Sequence, residues 1–122
     1  MKKFTSTIRP FVVAELEQSQ RCLVNGQPDL AFKHLENAHV LGQESTYWHM
    51  KAHIRMAKWA VHQRQPKEFF GQILRIVGAA TKTFVGLVPT GNTGGANISP
   101  FKPLPLSLKH QDIIEKAKFI DS

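Results

Sequence analysis

Cysteine is almost absent. Cys22 is the single one in 122 residues, so no disulfide can form within the chain, which agrees with a reducing compartment. Long apolar runs are missing too. No window approaches the roughly eighteen uninterrupted apolar residues of a membrane span, and the N-terminus, MKKFTSTIRPFVVAELEQ, puts a proline and acids where a secretory signal needs an apolar run. The cytoplasm is the expected location, with no membrane partner. Acids are few, 9 against 16 Lys and Arg, and their shortage is local. From 46 to 109, nine Lys or Arg stand against Glu68 alone, whereas from 12 to 45 Glu15, Glu17, Asp29, Glu36 and Glu44 outnumber Arg21 and Lys33. A basic surface on the second half follows, one that attracts nucleic acid, acidic partners or anionic metabolites without choosing among them.

Several catalytic signatures are also missing. No Ser-His-Asp or Cys-His spacing marks a nucleophile, although Cys22 has histidines in the chain to work with. TGNTGGA (90–96) resembles an anion-binding nest of backbone amides, yet it lacks the Gly-Lys-Ser/Thr ending and strand-to-helix setting of a phosphate loop, so a tight turn is the simpler reading.

What is present is an ordinary globular composition, 42% hydrophobic and 20% charged, in a length that suits one domain over 1–122, alone or as a small homo-oligomer. The periodicity predicts an all-α fold, a helical-hairpin bundle of four main helices over about 9–82. The first begins near Arg9 or Pro10 and stops at Asn25-Gly26. The second runs from Pro28 to about Leu41, closed by Gly42; the third from about Ser45 to Gln63; the fourth from Lys67 to about Lys82. The stretch FVGLVPTGNTGGANISPFKPLPLS, with four glycines and four prolines, cannot be helix and reads as an irregular wrap over about 83–107. A short terminal helix follows over about 108–119. NGQPDLAFKHLENAHVLG has the look of one tetratricopeptide-type hairpin, but a solenoid needs about three repeats and at most one and a half fit, so tetratricopeptide-like packing of hairpins in a closed domain is preferred.

The histidines are the informative feature. At about 100° per residue, Lys51, Arg55, Lys58 and His62 form one stripe of the third helix, and His49, Ala52, His53, Met56, Ala57 and Ala60 lie opposite. An i, i+4 histidine pair therefore faces inward. In the first helix Phe11, Glu15, Ser19 and Cys22 share an edge of the apolar stripe, so Glu15 needs a partner. In the second, His39 flanks the core line Ala31, Leu35, Ala38 beside Glu36, while His34 sits about 140° away on the other flank. Folding the hairpins brings His39 toward His49, His34 toward His53, and Glu15 toward Glu36. The expected cluster is Glu15, Glu36, His39, His49 and His53, with His34 as an additional candidate. Glu-x-x-His with inward carboxylates and histidines from other helices is the ligand set of bundle metal sites, and it suits zinc, iron, copper or manganese. Only one Glu-x-x-His occurs, where a di-iron bundle has two. For each histidine alone, a hydrogen-bonded structural role is the plainer alternative; for Met50 and Met56, a place in the core is plainer than soft ligation. Two further readings stay open: an interaction module that takes a protein or anionic partner on the Lys51, Arg55 and Lys58 face, and an enzyme using Glu15 with a histidine as acid and base.

HLENAHVLGQ, then His49-x-x-x-His53, Gly71-Gln72 with Arg75-Ile76, and PTGNTGGANIS followed by Phe101, together resemble an uncharacterised bacterial family, domain of unknown function thirty-seven zero three, over roughly 10–106. The resemblance implies a small, mostly helical protein with no assigned activity, some of whose relatives are encoded near heavy-metal resistance functions; it leans the reading toward metal resistance or homeostasis. Members commonly carry tryptophan after the histidine matching His53, where this chain has Ile54.

Overall fold

The computed structural model describes residues 3–80 and 107–121. Five helices and no strand occur among them: α1 (Lys3–Val24), α2 (Pro28–Gly42), α3 (Thr46–His62), α4 (Pro66–Ala80) and α5 (Leu108–Asp121). Three-residue turns at 25–27, 43–45 and 63–65 fold α1 to α4 into successive hairpins, so that α2 packs on α1, α3 on α2 and α4 on α3; α5 lies against α1 and reaches α2. The irregular wrap expected at 83–107, with its TGNTGGA turn, falls outside the described residues except for Ser107.

α1 starts six residues before the expected Arg9, and Pro10 sits inside it. Proline lacks an N–H and ordinarily ends a helix, but here the turns before it are held by tertiary contacts. Phe4, Ile8, Val12 and Leu16, spaced by four, form one buried ridge. Thr5 adds two polar anchors: its Oγ1 lies 2.8 Å from Ser45 Oγ, and its carbonyl accepts from Trp48 Nε1 at 2.9 Å. Core burial has overridden the local signal. Phe11, expected beside that ridge, is instead 43% exposed.

The turns obey helix-end chemistry. Gly26 takes φ +73°, and Gln27 N–H bonds Cys22 O at 2.8 Å, closing α1 with a left-handed cap. α3 closes the same way without glycine: Arg64 has φ +54°, and Gln65 N–H bonds Ala60 O at 2.8 Å. Ser45 caps the start of α3, accepting from Trp48 N–H at 3.4 Å. Gly42 ends α2 for a different reason. A Cβ there would lie 2.5 Å from Trp48 Cβ, so the missing side chain permits α2 and α3 to approach.

α4 packs with its polar side inward. Phe70, Ile73, Leu74 and Val77 are exposed, while Gln72 and Arg75 are buried and Glu68 is half-buried. The helix presents its polar side to α3, and the reason lies in the residues opposite.

Candidate metal centre

Three histidines meet between α2 and α3. α3 offers His49 and His53, one turn apart on its buried face, and α2 offers His39 near its C-terminal end; all three are 1% exposed or less. His53 Nε2 lies 3.0 Å from His49 Nε2 and 3.2 Å from His39 Nε2, and the rings meet edge to face with centroids 4.6–4.8 Å apart. These are the only His, Cys, Asp or Glu side chains among the described residues that group closely enough to share an ion.

Gln72 of α4 sets the protonation pattern. Its Oε1 is 2.6 Å from His53 Nδ1 and its Nε2 is 2.6 Å from Glu68 Oε2. A carboxylate only accepts, so the amide must give its N–H to Glu68 and its oxygen to His53, which then carries its proton on Nδ1. The Nε2 lone pair of His53 consequently faces His39 and His49. That requirement explains the orientation of α4: Gln72, fully buried, and Glu68, one turn before it, must reach α3.

Two of the three rings, His49 and His53, are uncharged at neutral pH. Burial pushes the His49 imidazole down to about 4. Burial, then the neighbouring His49, with a smaller contribution from the Arg75 guanidinium, pushes His53 down to about 3 against the opposing effect of its hydrogen bond to Gln72. Neutral imidazoles are the form that ligates a metal, so protons do not compete for these two rings near pH 7.

The geometry suits such an ion. Metal–nitrogen bonds of about 2.05 Å at tetrahedral angles place nitrogens about 3.3 Å apart, close to the 3.0 and 3.2 Å observed. His53 already has an outer hydrogen bond of the kind that commonly orients a ligating imidazole, to an amide that a carboxylate holds in turn.

The remaining candidates lie elsewhere. Glu15 accepts from Asn37 Nδ2 at 2.7 Å and lies 3.4 Å from His34 Nδ1, forming a separate, partly exposed group between α1 and α2. It therefore meets His34 rather than Glu36, and His34 faces α1 rather than His53. Glu36, on the turn before His39, is half-buried and outside the cluster. A carboxylate costs far more to desolvate than a neutral imidazole, and both glutamates stay where water or polar partners reach them. Gln72 and Glu68 were not among the candidates from sequence. Their signal was a Glu, a Gln and an Arg at 68, 72 and 75, one polar line along a helix otherwise rich in large apolar residues.

The family described as "Protein of unknown function (DUF3703)" matches residues 6–114 of the chain. The chain belongs to DUF3703. No curated protein and no solved structure gives a significant match to this DUF3703 member. HLENAHVLGQ, His49-x-x-x-His53 and Gln72 all fall inside the matched range, so the stretch that defines the family contains every residue of the histidine cluster and its outer hydrogen bond.

Proposed function

We propose that this DUF3703 protein binds one first-row transition ion through His39, His49 and His53 and serves metal homeostasis or resistance. The convergence of three buried Nε2 atoms, those of His49 and His39 lying 3.0 and 3.2 Å from that of His53, with His53 held in one tautomer by Gln72, carries the reading. The one Nε2 lone pair of His53 can accept well from only one of the two neighbouring rings, so hydrogen bonds within the cluster do not satisfy all three nitrogens, whereas a cation among them does. Imidazole donors suit zinc, copper, iron or nickel, and the absence of a clustered carboxylate disfavours manganese. Glu15, Glu36 and His34 act outside the ligand set. Elemental analysis of untagged protein prepared without chelator, with titration of the apo form, tests this: about one ion per chain is expected, lost in His49→Ala and His53→Ala while far-ultraviolet circular dichroism is retained. No binding of any first-row ion makes the histidines structural.

A second reading has an observation of its own. Arg9 of α1 and Lys51, Arg55 and Lys58 of α3 line a groove of about 630 Å³ whose lining holds Glu17 as its one acid. Such a groove fits an anionic segment of a protein partner, consistent with a non-catalytic interaction module. It predicts salt-sensitive capture that is lost on Lys51→Glu with Arg55→Glu; capture unchanged by those reversals rejects it.

A further inference from the structure

We infer that the fourth coordination position of the histidine site belongs to a small exogenous anion, of the size of hydroxide, azide or thiocyanate, and not to a side chain of the protein. The inference rests on the metal reading above and extends it to the ligand that completes the site.

The inventory of donors comes first. Every His, Cys and Glu of the chain lies among the described residues, and His39, His49 and His53 alone come together. The stretch 81–106 contains no His, Cys, Asp, Glu or Met, so it has no imidazole, thiolate, carboxylate or thioether to give. Coordination number is the second argument. His39 and His49 both converge on the one Nε2 lone pair of His53, and an ion such as zinc takes four ligands at tetrahedral angles, so three imidazoles leave one position unfilled. A site with three protein ligands and an open apex is the arrangement that takes an exchangeable ligand.

Charge decides what kind of ligand. Three neutral imidazoles offset none of a dication's charge, and the cost of holding uncompensated charge away from water is large. The surroundings do not repair this. Glu68 is the carboxylate behind Gln72, and Arg75, buried one turn further along α4, brings a positive charge that His53 feels. Their opposite charges roughly cancel, and the ion's own charge stays unmatched. An anion at the apex removes most of that excess.

Cobalt(II) is the probe, since its visible bands report coordination. The full-length, chelator-treated protein is titrated with cobalt(II), and azide or thiocyanate is then added. A saturable shift of the cobalt bands with one anion per ion is expected. Arg75→Gln leaves the Glu68 carboxylate uncompensated and should weaken azide binding by about tenfold, and Arg75→Lys should restore most of it. Met56, fully buried on the same face of α3 as His49 and His53, is the remaining soft donor. Met56→Leu should keep both the spectrum and the anion response. Cobalt bound at one per chain with bands unmoved by either anion overturns the inference while leaving the metal reading standing, as does a Met56→Leu spectrum altered before any anion is added. No cobalt binding removes both.

Discussion

Acidifying the metal-free protein from pH 7 to pH 5 is expected to cost it a large part of its stability. His49 and His53 titrate at about 4 and about 3 in the folded protein, both pushed down by burial, and at about 6.5 once unfolded. With folded values below unfolded ones, the unfolded chain takes up protons first. The stability is complete above pH 6.5 and is lost as pH falls toward the folded values. Each group loses about 1.4 kcal/mol per pH unit across that window, so two groups lose about 4 kcal/mol between pH 6.5 and pH 5. Against a typical total of about 5–15 kcal/mol this is severe, and for a chain of this size it corresponds to a fall in Tm of about 15 °C. His110, also lowered by burial, adds to the same trend. Thermal unfolding followed by circular dichroism at pH 7, 6 and 5, in chelator, measures it. His49→Gln should reduce the pH slope by about half, since one of two titrating groups is gone. An unfolding midpoint that does not move between pH 7 and pH 5 refutes the burial argument, because it means that the rings take up protons in the folded state as readily as in water.

Three other outcomes follow from particular contacts. Gln72→Leu removes the acceptor 2.6 Å from His53 Nδ1; it should destabilise the protein by about 1–3 kcal/mol and weaken metal binding about 10- to 100-fold, read by urea unfolding and by competition with a chromogenic chelator. Gly42→Ala puts a Cβ 2.5 Å from Trp48 Cβ and should cost about 1–3 kcal/mol of stability through forced separation of α2 and α3; an unchanged denaturation midpoint rejects the close-approach account. Ile8→Ala, at a fully buried position of α1, should cost about 2–5 kcal/mol, and a loss below 1 kcal/mol, within the range of surface substitutions, shows that the turns before Pro10 do not belong to the core.

The parts of this structure that could be read from sequence are those where local and tertiary preferences agree. α2 begins at Pro28 and α3 follows Ser45 because a first-turn proline and a serine cap serve the helix wherever it packs. His49 and His53 were legible as an inward pair because Lys51, Arg55 and Lys58 occupy the opposite stripe, and His39 because the turn at 43–45 folds it back toward them. Pro10 misled, since the start of α1 depends on the burial of Phe4 and Ile8 and on the bonds of Thr5 to Ser45 and Trp48, forty and more positions away. Glu15 misled for a related reason: its helix edge borders the core but opens to His34 and Asn37, and half-burial at an edge looks the same as burial in a one-dimensional pattern. α4 was the least legible. No inward face was read for it from sequence; Phe70, Ile73, Leu74 and Val77 are exposed, and the helix turns its Glu68, Gln72 and Arg75 side inward, where a buried imidazole needs a polar partner.

X-ray absorption of the zinc-loaded protein at the zinc edge tests the central claim most directly, because it counts the atoms around the ion. Three imidazole nitrogens and one further light atom at about 2.0 Å are predicted. A sulfur at about 2.3 Å, or a shell of carboxylate oxygens in place of the rings, contradicts it.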